Sequence, residues 1–524
     1  MNAGIEISSS HGDRSVTPPT SDFKVTRESS RMLQEFLINK LNAEVERRFL
    51  NTRYKGIDLC KIIEVKMYWQ VMNDPDIGRM FRSDSPEVDE QLIDRVISRK
   101  ISQIKRNPIG FPFRVIKDIA MWFRSKLLLA KKAKKASVDV VVPVNQKKYF
   151  PYTGKIVRRL EEEGKVVMYY VFGHARHENN GDIDRSRIMV EARLFPEFWN
   201  PAYYQATSVC RSIDKVLGTW LQYQPKKAML VEGDTSILHV IGFVSRITGC
   251  ETNCLQWGSI GTSVPKTGWR NMPFDRFLAW GEFFRESVEQ YNRDMEVLTV
   301  GHPNIDNTVR KPADSASSAH DQQNTGDKEQ DTGEDRSGKI ILFAVQKIMK
   351  PFINEEDLDR FINTAVGTAR QMPEYTIRIR SHPNYPIPDE IKQKHAHIRN
   401  IQWHDYFSAS LDESLKDSLV CVTISSTLSF EALNYGALPV FLKVNNIELY
   451  LHKIGHLFQK VTRGDVSHVA EPDDIVGVIR NIDALNLNSF EADYFFKETG
   501  EKAVNAIAAV LTGVPSPASV KLHE

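Results

Sequence analysis

Two segments in the last third of the chain combine residue types that could handle a phosphorylated ligand. Arg378-Ile379-Arg380-Ser381-His382-Pro383-Asn384 places two guanidinium groups and an imidazole at the end of the strand-like run Tyr375 to Ile379. Thr423-Ile424-Ser425-Ser426-Thr427, with Glu431 and Gly436 beyond it, ends the run Leu419 to Ile424 and opens a helical stretch, Leu428 to Tyr435. A strand that stops at small hydroxyl residues and starts a helix offers amide N–H groups and a positive dipole end to an anion. Ser425, Ser426 and Thr427 are therefore candidate phosphate ligands, although the same types serve as ordinary N-caps. Arg378 and Arg380 share one strand face, which suits a phosphate, a sugar carboxylate or a cross-strand salt bridge. His382 can donate to a phosphate or protonate a leaving group, with Pro383 fixing the backbone beside it. Glu431, about one turn into the helix, is placed for ribose hydroxyls or for solvent. Two such strand ends side by side would form a nucleotide site at the carboxyl edge of an α/β sheet.

A second group of acids stands in Val231-Glu232-Gly233-Asp234. Lys227 to Gly258 reads as one βαβ unit, with strand Ala228 to Val231, helix Ser236 to Thr248 and strand Asn253 to Gln256. In a doubly wound sheet the loop after the first strand faces the crevice, so Glu232 or Asp234 can take the proton of an acceptor hydroxyl. Asp234 would serve equally as the cap of the following helix. The motifs contain no D-x-D pair, so the expected chemistry does not require a divalent metal. The lone C-x-x-x-C of Cys250 and Cys254 lacks further ligands, and His174 and His177 read as a polar loop. No metal site and no cofactor are expected.

At 524 residues the chain calls for two or more domains. Its 41% apolar and 26% charged residues are those of a globular protein, and a net charge of +2 argues against wholesale nucleic-acid binding. Met1 to Pro18 lacks the apolar core of a secretory signal, and no run approaches the ~18 apolar residues of a membrane span. Five sparse cysteines fit reduced thiols in the cytoplasm. Residues 1–26 are Ser-, Thr- and Pro-rich and read as a disordered tail, and 27–136 as a helical region. Within that region, 113–136 interleaves Trp122, Phe123 and Leu127 with Arg124, Lys126, Lys131 and Lys132. Such a basic amphipathic helix lies on an anionic membrane surface or packs on the next domain. Alternating strands and helices then give a first Rossmann-like domain over 137–306 and a second over 339–512. The polar segment 307–338 reads as a disordered linker and 513–524 as a tail. The expected fold class is thus α/β, two Rossmann-like domains with a helical N-terminal region and a disordered inter-domain insertion.

Several pieces carry a resemblance. Leu255-Gln256-Trp257-Gly258 resembles an "LQHG" strand end with Trp in place of His, and Phe277-Leu278-Ala279-Trp280-Gly281-Glu282 is similar to a following "flvWGe" strand. Val297 to Asp306 resembles the "G-N-P-x-x-D" passage out of the first domain, with His302 where Asn is usual. His382-Pro383 and Ser425-Ser426 resemble the HP and S-S/T motifs of bacterial sialyltransferases and Kdo transferases. In this order, over about residues 225–306 and 339–445, they resemble GT-B glycosyltransferases of bacterial surface polysaccharide biosynthesis, the makers of capsule and lipopolysaccharide.

The resemblance implies that the HP and S-S/T motifs hold the CMP part of a donor. It also implies that the acid of a D/E-D/E-G motif is the general base. Glu232 matches that acid, and Val231 departs from the pattern. The implied activity is inverting, metal-independent transfer of a sugar from a nucleotide-activated donor, such as a CMP-linked acidic sugar, to a glycan or lipid-linked glycan acceptor. The implied location is the cytoplasm, peripheral to the inner face of the membrane. Two other readings stand beside it. A non-hydrolysing UDP-sugar epimerase shares the fold and an H-P-N segment, but usually has Ser-Gly-Gly where this chain has Ser425-Ser426-Thr427. A non-catalytic, membrane-recruited component of a polysaccharide export complex would account for the helical region.

Overall fold

Uninterrupted apolar runs such as Val140–Val144 (VVVPV) and Leu438–Leu442 (LPVFL) are buried at every position, as parallel strands covered on both faces must be. The computed structural model describes residues 27–82, 89–104, 111–132, 137–146, 148–173, 184–258, 267–305, 339–348, 352–382, 385–406, 408–445, 468–484 and 494–513. The expected tail 1–26, the whole linker 307–338, the tail 513–524 beyond Gly513, and His174, His177 and Pro383 lie outside these residues.

The helical region opens with α1 (Arg27–Phe49), a short hairpin of β1 (Arg53–Tyr54) and β2 (Ile57–Asp58), and then α2 (Cys60–Met72). It closes with α3 (Pro75–Arg82), α4 (Glu90–Ile104) and α5 (Phe111–Lys132). The first α/β unit contains β3 (Val140–Val144), α6 (Tyr149–Glu162), β4 (Val167–Val171), α7 (Pro201–Gln205) and α8 (Thr207–Tyr223). It continues with β5 (Lys227–Val231), α9 (Ser236–Thr248), β6 (Glu251–Leu255) and α10 (Thr267–Arg270), and ends with β7 (Arg276–Ala279), α11 (Glu282–Glu289) and β8 (Glu296–Thr299). The second unit begins with β9 (Ile340–Ala344), α12 (Glu355–Gln371), β10 (Thr376–Arg380), α13 (Asp389–Lys394) and β11 (Ile401–His404). After these come α14 (Leu411–Leu415), β12 (Ser418–Thr423), α15 (Leu428–Leu433), β13 (Leu438–Leu442), β14 (Val469–Ala470) and α16 (Ile475–Ala484). The last described helix is α17 (Gly500–Thr512).

Among the described residues each unit holds a six-stranded sheet, in the orders β4-β3-β5-β6-β7-β8 and β11-β10-β9-β12-β13-β14, with every strand pairing parallel. The second order is the doubly wound Rossmann order, and the first differs in having one strand fewer before the reversal and one more after it. Strand order reverses between β3 and β5 in one sheet and between β9 and β12 in the other. Ligands of open α/β sheets sit outside the carboxyl ends of the strands at these reversals, so the topology alone nominates two loop pairs. Two Rossmann-like units facing each other give the GT-B architecture.

The chain crosses between units twice. Gly301 leaves the first sheet with φ +93, and a Cβ there would sit 2.1 Å from the Glu498 carbonyl oxygen, so only glycine lets the returning segment pass. His302 N–H donates to Glu498 O (2.8 Å) and Gly500 N–H to His302 O (3.0 Å). The returning helix α17, at the end of the expected second domain, packs Val504, Ile507, Ala508 and Leu511 beneath the first sheet beside Ile156 and Leu160 of α6. The helical region touches both units. Its α2 lies on α9, while Arg82 pairs with Asp357 of α12 (2.8 Å) and Phe81 meets Phe352 (6.1 Å).

Candidate functional site

At the first reversal, β3 runs into Lys148 and Tyr149 at the start of α6, and β5 runs into Glu232. Glu232 has φ 79, a left-handed conformation that costs a residue with a Cβ of order 1 kcal/mol and persists only where the surroundings impose it. Gly233 follows at φ +90, and a Cβ on it would meet the Cys254 sulfur at 2.7 Å. The two positive φ values turn the chain sharply at the sheet edge. The Tyr149 hydroxyl donates to Glu232 Oε2, and burial together with that carboxylate raises the phenol's pKa strongly. The Lys148 ammonium lies over the rings of Trp257 (4.8 Å) and Tyr149 (4.9 Å). Burial lowers the Lys148 pKa against the pull of Glu232, and Lys347 of the second unit lowers it further.

Trp257 is held by a buried amide. Gln256 Oε1 accepts from Trp280 N–H (2.8 Å), its Nε2 donates to Gly258 O (3.0 Å), and Gln256 O accepts from the Tyr152 hydroxyl (2.6 Å). These bonds tie the ends of β6 and β7 together and fix the turn that carries the indole. Asp234 is buried, and its neighbour Thr235, not Asp234, stands at the N-cap of α9. Its carboxylate lies within electrostatic reach of Tyr68, Tyr149 and Lys148.

At the second reversal, β9 runs into Gln346 and Lys347 and β12 into Ser425 to Thr427. The strands that end at His382 and at Ser425 are not adjacent, because β9 lies between β10 and β12. Gln346 spans the reversal. Its Oε1 accepts from Ser425 N–H (2.5 Å) and its Nε2 donates to Ser425 Oγ (3.3 Å). Burial, Lys347 and Lys148 push His382 down to about 4, so the imidazole is neutral at neutral pH.

The expected anion cradle in the second unit is largely satisfied from within. Ser426 N–H donates to Thr423 Oγ1 (3.1 Å), and Leu428 N–H donates to Ser426 Oγ (3.2 Å), so Ser426 caps the turn. Among the described residues Arg378 and Arg380 make no cross-strand ion pair, and their bonds go to neutral acceptors. Arg380 is buried and its Nη1 donates to Ala409 O (2.9 Å), Ser410 O (3.1 Å) and Ser414 Oγ (2.5 Å). Arg378 donates to Gln402 Oε1 (3.0 Å), Glu413 O (3.0 Å) and Lys416 O (2.7 Å). Arg378 meets carbonyls at the end of α14, and Arg380 meets those just before its start.

The two edges meet. A Cβ built on Gly258 would lie 3.3 Å from Thr427 Oγ1, so the Trp257 turn touches the hydroxyl loop. Lys148 lies within electrostatic reach of Glu232, Asp234, Lys347 and His382, which places these groups of both units around one crevice. Glu431 faces His302 of the first unit (Oε1 to Nε2, 4.0 Å), and burial raises it to about 7. His302 is packed against Trp280 (4.4 Å) and pushed down to about 3 by burial, and its Nδ1 accepts from Asn304 N–H (3.2 Å). Lys148, Tyr149, Gln346 and Lys347 were not singled out from sequence. The signal that finds them is strand order, because each directly follows a strand at a reversal.

No family model matches the chain, and no curated protein matches it. Solved structures do. A UDP-GlcNAc 2-epimerase from Neisseria meningitidis bound to UDP-GlcNAc is 12% identical over 72% of this chain and 100% of its own, with a TM-score of 0.46. MurG of Acinetobacter baumannii is 10% identical over 72% of this chain and 100% of its own, at 0.44. The lipopolysaccharide outer core galactosyltransferase WaaB is 10% identical over 71% and 99%, at 0.43. Identities this low say nothing of activity.

Proposed function

We propose that the protein is a nucleotide-sugar-dependent glycosyltransferase. The reading rests chiefly on one observation: a carboxylate held in a left-handed turn at the first reversal shares a crevice with Lys148, Lys347 and His382, which line the way to the second. Glu232, with Asp234 behind it, takes the proton of an acceptor hydroxyl. The oxygen then attacks the anomeric carbon from the face opposite the nucleotide, with inversion. The departing phosphate draws on Lys347, on hydrogen bonds from neutral His382 and on the hydroxyls of Ser425 and Thr427. With a CMP-linked acidic sugar, one lysine also meets the sugar carboxylate. The acceptor in this reading is a glycan or lipid-linked glycan presented at the inner face of the membrane.

The test is to supply CMP-, CDP- and UDP-sugars with and without oligosaccharide acceptors and follow nucleotide release. We expect acceptor-dependent release that falls in His382→Ala. Interconversion of a UDP-sugar without acceptor would instead favour an epimerase. An absence of turnover with every donor, and a His382→Ala variant identical to the parent, would count against any transferase.

A further inference from the structure

Helix α5 has two apolar faces, and the described residues cover only one. Val115, Ile119 and Trp122 turn inward with the buried Asp118 and Ser125. On the other face Phe113, Ile116, Ala120, Phe123 and Leu127 recur at intervals of three and four, which makes a single stripe along the helix. Its large members are 57–77% exposed. The stripe continues onto a second segment. Phe123 meets Trp122 (4.6 Å), Trp122 meets Phe195 (5.3 Å), and Phe195 meets Trp199 (6.2 Å), whose indole is 65% exposed. A contiguous exposed surface of Phe, Trp and Leu from two separate parts of the chain is more than the scattered apolar residues of an ordinary surface.

Charge identifies what this surface meets. Exposed Lys117 and Arg124 flank the stripe at a seven-residue interval, and Lys126 lies at its other side. The helix contains one acid, Asp118, which points inward and is neutralised by Arg211 (2.7 Å) and by the Tyr203 hydroxyl. Near Trp199, Glu197 is paired with Lys55 (3.2 Å). The charge that α5 presents is therefore wholly basic around an apolar, aromatic centre. This combination inserts shallowly into the headgroup layer of an anionic bilayer. Among the described residues no helix is long and apolar enough to cross a membrane, so the contact is one of lying on the surface.

We propose that α5 and the Phe195–Trp199 segment form one docking face for an anionic lipid surface. The face holds the enzyme at the membrane whatever its donor. The experiment is co-sedimentation of the full-length protein with vesicles of phosphatidylglycerol and phosphatidylcholine, and with phosphatidylcholine alone. The protein is expected to bind the mixed vesicles and to bind much less to the neutral ones, with binding falling as salt rises. Each single charge removal, Lys117→Ser or Arg124→Ser, should weaken binding about fivefold. The pair Phe123→Ser with Leu127→Ser should weaken it at least tenfold, and Trp199→Ala should also reduce it. All of these side chains are exposed, so melting temperatures should stay at the parent value. Equal binding by parent and variants, or none to either vesicle, would overturn the proposal. So would a concentration-dependent dimer that the paired substitution dissociates without any lipid binding, which would assign the face to a second copy of the chain.

Discussion

The carboxyl edges of the two sheets carry similar residue types but use them differently. At the edge of the first unit, Glu232 is held at φ 79, a costly backbone turn, and the exposed Lys148 lies over two aromatic rings. At the edge of the second unit, both arginines and Ser426 are engaged in hydrogen bonds within their own unit. Those bonds run through Nη1 of Arg380 and through Nε and Nη1 of Arg378, and they hold α14 and the loop before it against the sheet. The contrast teaches that residue type nominates a candidate, whereas local satisfaction decides its role.

The comparison can be broken at either edge. The largest effect is expected at Glu232. Glu232→Gln should lower acceptor-dependent turnover about 10²–10⁴-fold, with the denaturation midpoint nearly unchanged. Glu232→Gly should abolish turnover while relieving the turn, leaving stability within about 1 kcal/mol of the parent or above it. A strongly destabilised but active Glu232→Gln would show the turn to be structural.

Arg380→Ala tests the other side. It leaves two main-chain carbonyls and a hydroxyl without their buried donor, so chemical denaturation should show a loss of roughly 2–4 kcal/mol. A variant of parental stability that fails only in donor binding would return Arg380 to the phosphate site.

The smallest effect concerns the helical region that borders the first edge. Glu64 of α2 is buried, accepts from Asn271 Nδ2 (2.8 Å) and is raised by burial to about 7. Its carboxyl binds more protons folded than unfolded between pH about 4.5 and about 7. Stability from this group is therefore fully present below that window and is lost as pH rises through it. Glu64→Gln keeps the hydrogen-bond acceptor and removes the ionisation. It should match the parent near pH 4 and exceed it at pH 8 by on the order of 1–3 kcal/mol in denaturant melts. A variant less stable at pH 8 than the parent would contradict the burial argument.

Much of the architecture was legible in the residues. The runs Ala228 to Val231 and Ser236 to Thr248 fold as the strand and helix that their patterns dictate, the strand gaining Lys227. The other strands shift by a residue or two at their ends, for example Glu251–Leu255 where Asn253 to Gln256 was expected. The short hairpin Arg53–Tyr54 with Ile57–Asp58 had no alternating run to announce it. What the residues could not reveal was adjacency. The strands before His382 and Ser425 were expected side by side, but the sheet inserts β9 between them and brings Gln346 to the Ser425 turn. The fate of Arg378 and Arg380 was equally hidden, because it depends on where the short α14 packs.

The most direct measurement of the central claim is a thermal-shift titration of the full-length protein with CMP, CDP, UDP and their sugars. One nucleotide series should raise stability by about 2.7 kcal/mol at a hundredfold excess over its dissociation constant. That gain should shrink in Lys347→Ala and His382→Ala and persist in Glu232→Gln, which acts on the acceptor. If no nucleotide or nucleotide sugar moves the melting temperature at millimolar concentration, the crevice between the two sheet edges is not a donor site and the account is wrong.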